Sequence, residues 1–279
     1  MDISDLFEQA YERLTSPPPV VTVVRLSGII SPTGSPLRPQ LSLASLAGVL
    51  KVAFKPKRLA AVALVVNSPG GSPVQSSLIA KRIRAHADER KVPVLAFVED
   101  VAASGGYWLA VAADEIFVDP SSILGSIGVV ASGFGLHEAI ARLGIERRLY
   151  TQGERKRMLD PFLPTRDEDV ERLNVLQSEV HQIFKDHVRQ RRSGRLKLPE
   201  AELFNGDIWT GAKAVEIGLA DHVGDLRSTL RQRFGDKVDI RPVGERRSWL
   251  KRFLRAETDL PAQALAAVEE RLMWGRWGI

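Results

Sequence analysis

Two glycine-rich turns hold the residues best placed to do chemistry. Asn67-Ser68-Pro69-Gly70-Gly71-Ser72 follows the apolar run Leu59–Val66, and Ala102-Ala103-Ser104-Gly105-Gly106-Tyr107 follows Val92–Val98. Paired glycines leave backbone N–H groups uncovered, so Gly70 and Gly71 could stabilise an oxyanion. The same pair could equally close a tight strand-to-helix turn. Ser104 stands where a helix is expected to begin. A hydroxyl there is accessible, and the positive helix end favours the alkoxide that a nucleophile must become. The N–H after it, on Gly105, could be a second oxyanion donor. A serine at a helix start is also a common N-cap, and the residue types alone leave both readings open.

Composition limits the alternatives. The chain has 279 residues, 44% hydrophobic and 26% charged, with no cysteine and five histidines. Cysteine nucleophiles, disulfides and thiolate zinc sites are excluded, and His-rich metal sites are not expected. No metal or other cofactor is suggested: there is no H-E-x-x-H and no Walker A loop. The G-x-S-x-G elbow and the S-x-x-K motif are also missing. The balance of 39 basic to 34 acidic residues, net +5, permits contact with an anionic surface without implying nucleic acid. No apolar run reaches the ~20 residues of a spanning helix. The start, MDISDLFEQAYERL, is acidic and amphipathic rather than signal-like. A cytoplasmic location is therefore expected.

The elements that must position the two turns follow from periodicity. Residues 1–19 read as a helical lead and a proline linker. Val20–Ile30, Leu59–Val66, Val92–Val98 and Glu115–Val118 read as buried strands, and Glu146–Tyr150 as a further strand. Leu41–Phe54, Gln75–Arg90, Tyr107–Ala113, Leu136–Leu143 and Ala212–Ile217 read as helices. Repeated strand–turn–helix units predict an α/β fold with a mainly parallel sheet. Thr165-x-x-Glu168 reads as a capping box. The polar helix it opens runs to about Arg191, about 25 residues or ~38 Å, and that length suits an arm or an assembly surface. In such sheets ligands bind beyond the C-terminal ends of the strands, where both glycine turns fall.

Together, NSPGGS and the later stretch ASGGYWLAVAADEIFVDPSSILGSIGV resemble the S49 family of serine peptidases, the signal peptide peptidase A group. The resemblance runs from about Val20 to Asp225. It takes in Trp209-Thr210-Gly211 through Gly218-Leu219-Ala220-Asp221, a stretch shared with the wider Clp protease/crotonase superfamily. It implies a Clp protease/crotonase-like fold and a Ser/Lys dyad without cofactor, with Ser104 as nucleophile. The lysine is expected in a segment like G-x-x-K, here Gly153-Glu154-Arg155-Lys156. Lys156 lies 52 residues after Ser104. Its neighbours Arg155 and Arg157 depart from the family pattern, but an arginine will not deprotonate near neutral pH and cannot replace it. By family position Gly71 is the first oxyanion donor, and Ser126 is the serine that holds the lysine.

The resemblance further implies hydrolysis of unfolded or hydrophobic peptides, such as cleaved signal peptides. It also implies a homo-oligomer whose active sites draw Ser104 and Lys156 from adjacent subunits. Residues 231–255 carry nine Lys/Arg against three acids. They interleave with Trp249, Leu250, Phe253 and Leu254, and the chain closes on Leu272, Met273, Trp274, Trp277 and Ile279. Such a segment either packs on the body as a solvated face or lies on an anionic membrane. The expected organisation is thus a lead (1–19), a catalytic domain (20–225) and a basic aromatic extension (226–279) that could give peripheral contact with the inner face of a membrane. The competing readings are a non-catalytic scaffold of the same fold, a crotonase-type CoA-thioester hydratase or isomerase, and a capsid-maturation peptidase.

Overall fold

The computed structural model describes residues 17–32, 40–153 and 155–244, together with 271, 274 and 275. The lead helix expected in residues 1–16, and almost all of the tail beyond Gly244, lie outside the described residues. The chain divides into two compact units, Met1–Ile127 with His187–Ile279, and Gly128–Asp186.

The strands are β1 (Val20–Ser27), β2 (Leu59–Ser68), β3 (Val94–Ala103), β4 (Glu115–Val118), β5 (Ile123–Gly125), β6 (Ile208–Thr210), β7 (His222–Val223) and β8 (Asp239–Val243). The helices are α1 (Leu43–Ala53), α2 (Pro73–Arg90), α3 (Gly105–Ala110), α4 (His137–Arg142), α5 (Asp167–Arg191), α6 (Glu200–Leu203), α7 (Gly211–Ile217) and α8 (Leu226–Phe234). Among the described residues all eight strands form one sheet in the order β6-β5-β3-β2-β1-β8, with β4 joined to β3 and β7. Every pairing is parallel except that of β5 with β6. The mainly parallel α/β fold expected from the sequence is the fold observed.

β2 is buried along nearly its whole length, because β1 and β3 pair along its two edges and helices cover its faces. On one face Val21, Ala61, Ala63, Leu95, Phe97 and Phe117 pack with Leu230 of α8. The other crossovers are fixed by local chemistry. At α1, Ser42 and Ser45 form a reciprocal capping box. At α2, Ser72 accepts from the Gln75 N–H, and Pro73 occupies the first turn, where its missing N–H costs nothing. α2 therefore starts two residues before the expected Gln75. β3 divides its partners: Leu95–Val98 pair with β4, and Val101–Ala103 pair with β5. The strand therefore runs beyond Val98 to the serine turn.

Past residue 225 the chain still contributes to this unit. α8 covers a sheet face, and β8 extends the sheet beside β1, with Val20 opposite Asp239 and Val24 opposite Val243. β8 sets Asp239, Arg241 and Val243 on one face and Ile240 and Pro242 on the other. It tolerates Pro242 because, among the described residues, it is an edge strand.

The second unit contains α4 and most of α5. The strand expected at Glu146–Tyr150 does not form. A strand exists only through a ladder partner, and no described segment pairs with this one. Its charged side chains turn instead to ion pairs, Arg147 with Asp160 (2.8 Å) and Arg148 with Glu146 (2.7 Å). α5 has the expected length, but it begins at Asp167 rather than from a Thr165 cap. Its first turn is held by Arg166, which donates to both carboxylate oxygens of Asp169 at 2.9 and 2.6 Å.

Candidate active site

The two glycine turns meet at the C-terminal ends of β2 and β3. Ile30 donates its N–H to Gly70 O (2.8 Å), and Ser72 donates to Ile30 O (2.7 Å). This short bridge clamps Gly71 against the chain after β1. A Cβ on Gly71 would stand 2.1 Å from Ile30 O, so only glycine fits, and its φ of +139° agrees. A Cβ on Gly70 would stand 2.8 Å from both Gly105 N and the Ser104 Cβ. The two turns are therefore in direct contact. The Gly71 nitrogen lies 3.3 Å from the point where a Cβ on Gly105 would be. The backbone N–H groups of Gly71 and Gly105 thus border one small space beside Ser104.

Ser104 occupies the cap position of α3, yet its side chain makes no capping hydrogen bond. Its backbone has φ +53° and ψ −121°, a region that costs a non-glycine residue on the order of 1–3 kcal/mol. The surroundings enforce it. Ser104 N donates to Gly125 O (2.9 Å), and Ser104 O accepts from Trp108 N (3.0 Å). The N-cap reading of this serine fails, and what remains is a hydroxyl raised at a strained strand-to-helix corner.

Ser126 follows the carbonyl that holds Ser104. It too has a positive φ, +50°, and its N–H donates to Asp207 O (2.7 Å). Gly70, Gly71, Ser104, Gly105 and Ser126 are thus gathered in the first unit. Lys156 lies in the second unit, in a turn where its N–H donates to Gly153 O (3.1 Å), and it is exposed.

Sequence reasoning missed the residues that brace these turns. Ser68 is fully buried; its hydroxyl donates to Gly28 O (2.7 Å) and accepts from Gly70 N (3.2 Å). Asn67 links the two strand ends, donating to Asp100 (2.6 Å) and accepting from Val101 N (3.3 Å). Tyr107 is fully buried and donates to Leu219 O (2.8 Å); burial raises its phenol pKa well above the ordinary value. Behind α3, His187 stacks on Trp108 at 5.4 Å between ring centroids, with Nε2 3.2 Å from Trp108 O. Burial lowers the His187 pKa to about 4, so the ring is neutral and donates to that carbonyl. Arg192, also buried, donates to Gly218 O and to Asp221 (2.7 Å). Burial alone would raise the Asp221 pKa, but its bond from Arg192, the Arg192 charge and the Ile116 N–H hold it below the ordinary value. No local pattern announces these partners, because each contact joins segments far apart in sequence.

Among the described residues no group of three or more His, Asp or Glu could hold a metal, and no helix is long and apolar enough to cross a membrane.

The site is thus a strained serine turn set against a glycine turn at the C-terminal ends of a mainly parallel sheet. The sequence model of peptidase family S49 matches residues 86–241, and the chain belongs to that family. It is 33% identical over 210 residues to the putative signal peptide peptidase SppA of Enterococcus faecium, covering 72% of this chain and 60% of that protein. It is 49% identical over 272 residues to a Brucella abortus (strain 2308) protein named Na(+)/H(+) antiporter NhaA, covering 93% of this chain and 37% of that protein. The chain thus spans only part of the length of these relatives. Among solved structures, the 1510-N membrane-bound stomatin-specific protease superposes with a TM-score of 0.51 at 16% identity, over 81% of this chain and 98% of that one. That likeness is one of fold.

Proposed function

We propose that the chain is a serine endopeptidase working through Ser104 and Lys156 on unfolded or hydrophobic peptides, cleaved signal peptides among them. The observation that carries this is the strained Ser104, its side chain uncapped, beside the N–H groups of Gly71 and Gly105. Lys156 as neutral amine takes the Ser104 proton while the Oγ attacks the peptide carbonyl. The tetrahedral oxyanion is met by Gly71 and Gly105. The C–N bond then breaks, and Lys156 returns the proton to the leaving amine. Water hydrolyses the acyl-enzyme with Lys156 again as base. Ser126 orients the lysine. The groups around Ser104 are glycine N–H groups and serine hydroxyls, which suits acyl transfer better than the carboxylate acid/base work of a crotonase.

A lysine acts as base where burial or neighbouring positive charge favours its neutral form. Lys156 is exposed on the single chain, so it lacks that burial there. The second unit also lacks a core of its own: among its described residues only Asp169 and Phe184 are buried, while Phe134 and Tyr150 are 84% and 90% exposed. Large exposed apolar side chains mark association surfaces. These observations support a homo-oligomer in which a second copy covers this unit and completes the site. Of the basic stretch 231–255, the part through Val243 is taken into α8 and β8. Peripheral contact with an anionic membrane at the inner face is proposed for the remainder, and co-sedimentation with anionic vesicles tests it.

The test of the dyad is hydrolysis of casein or a signal peptide by the assembled protein. Ser104→Ala and Lys156→Ala are each expected to lower turnover by about a thousandfold or more. Cleavage that survives both substitutions excludes the dyad, and no cleavage by any form favours a scaffold.

A further inference from the structure

The second unit holds a cavity of about 690 Å³ whose walls include Arg147, Thr151, Arg155, Arg157, Arg166 and Glu168. Two of its four guanidinium groups are occupied. Arg147 is paired with Asp160 at 2.8 Å and lies over the Phe162 ring. Arg166 is paired with Glu168 at 3.0 Å and with Asp169. Arg155 and Arg157 differ: neither guanidinium donates a hydrogen bond or forms an ion pair among the described residues. Arg157 feels the charge of Asp169, but both carboxylate oxygens of Asp169 are already taken by Arg166.

Two arginines of like charge, two residues apart, thus line one cavity with their N–H forks unused among the described residues. Each fork matches the two oxygens of a carboxylate, and an anion between them would offset their mutual repulsion. Lys156 stands between them in sequence and does not line the cavity. Whatever the cavity holds is therefore one residue away from the proposed base.

We propose that Arg155 and Arg157, backed by Arg147 and the Thr151 hydroxyl, form a carboxylate-recognition site for the peptide substrate. The enzyme then selects peptides bearing an acidic side chain or a free C-terminal carboxylate near the scissile bond. This rests on the peptidase reading given above and names the substrate class of that site.

The test is a peptide panel in which one Glu is moved along an otherwise neutral, unstructured sequence. Each peptide is matched to its Gln isostere, and each is made with a free and with an amidated C-terminus. At the favoured position kcat/KM is expected to be about tenfold higher for Glu than for Gln, the size of effect that charge-assisted hydrogen bonds give when partly exposed, and the preference should shrink as salt is raised. If the carboxylate recognised is the terminal one, the free-against-amidated ratio carries the effect instead. In the Arg155→Ala/Arg157→Ala double variant the ratio falls to about one whatever the absolute rate. In Arg157→Glu it shifts toward a Lys-bearing peptide. A ratio of one in the wild type, at every position and for both termini, overturns the proposal.

If the wild type hydrolyses no peptide, the peptidase reading fails on its own. Fluorescence anisotropy with the same labelled peptides then decides the site. Tighter binding of acidic peptides, lost in the double variant, supports it. Equal binding of acidic and neutral peptides overturns it, as does binding of inorganic phosphate or anionic vesicles through these arginines when acidic peptides do not bind.

Discussion

Ser104 is held at φ +53° by two backbone hydrogen bonds, one to the strand beside it and one from the helix after it. Its strain is the cost of lifting a hydroxyl clear of the sheet. Glycine at this position would keep the turn and relieve the strain, whereas alanine would keep the strain. Ser104→Gly should therefore be more stable than Ser104→Ala by about 1 kcal/mol in denaturant titration, although both lack the nucleophile. Equal stability would mean that the turn is not strained as described. At Gly71 the demand is steric. A methyl group there meets Ile30 O at 2.1 Å, so Gly71→Ala should destabilise the fold by about 2 kcal/mol or more and displace the N–H that faces the site. The turn glycines and Ser104 were legible in the sequence because each lies just after an apolar strand. Ser68 and Asn67 were not. They sit in the same turn, but their partners Gly28 and Asp100 come from other segments, and one chain's local pattern does not encode such meetings.

At the scale of elements, the buried parallel strands could be read directly. Covering both faces of β2 leaves no polar alternation, and its run of Ala, Val and Leu says so. β8 was hidden for the opposite reason: an edge strand of five residues with an Asp, an Arg and a Pro carries little apolar signal. Glu146–Tyr150 misled in the other direction, since strand-like composition without a ladder partner makes no strand. α3 is held from behind by His187, whose neutral ring donates to Trp108 O. Its folded pKa of about 4 lies below the value near ~6.5 of an unfolded chain. The unfolded state therefore binds the proton more readily, so His187 contributes fully above about pH 6.5 and loses its contribution as pH falls toward 4. The positive charges of Arg191 and Lys81 act in the same direction. The melting temperature should decline over that window, and His187→Gln should remove much of the decline. An unchanged slope in the variant would show that His187 is not protonated there.

For the whole molecule, Ser104 and Lys156 belong to different compact units, and the unit that carries the lysine exposes much of its apolar surface. If each site takes its serine from one copy and its lysine from the next, two inactive variants can repair each other. Mixed and reassembled, Ser104→Ala and Lys156→Ala chains should recover about a quarter of wild-type activity by random pairing around a symmetric assembly. Recovery near zero would place both residues in one chain. The lysine's position came from a resemblance carried by motifs, since nothing in a basic turn distinguishes Lys156 from a solvated residue.

The most direct measurement of the central claim is mass spectrometry on enzyme acid-quenched during turnover of an activated ester substrate. The account predicts an acyl group on the tryptic peptide that contains Ser104, lost in Ser104→Ala and much reduced in Lys156→Ala. An acyl group on another residue, or turnover undiminished in Ser104→Ala, would contradict it.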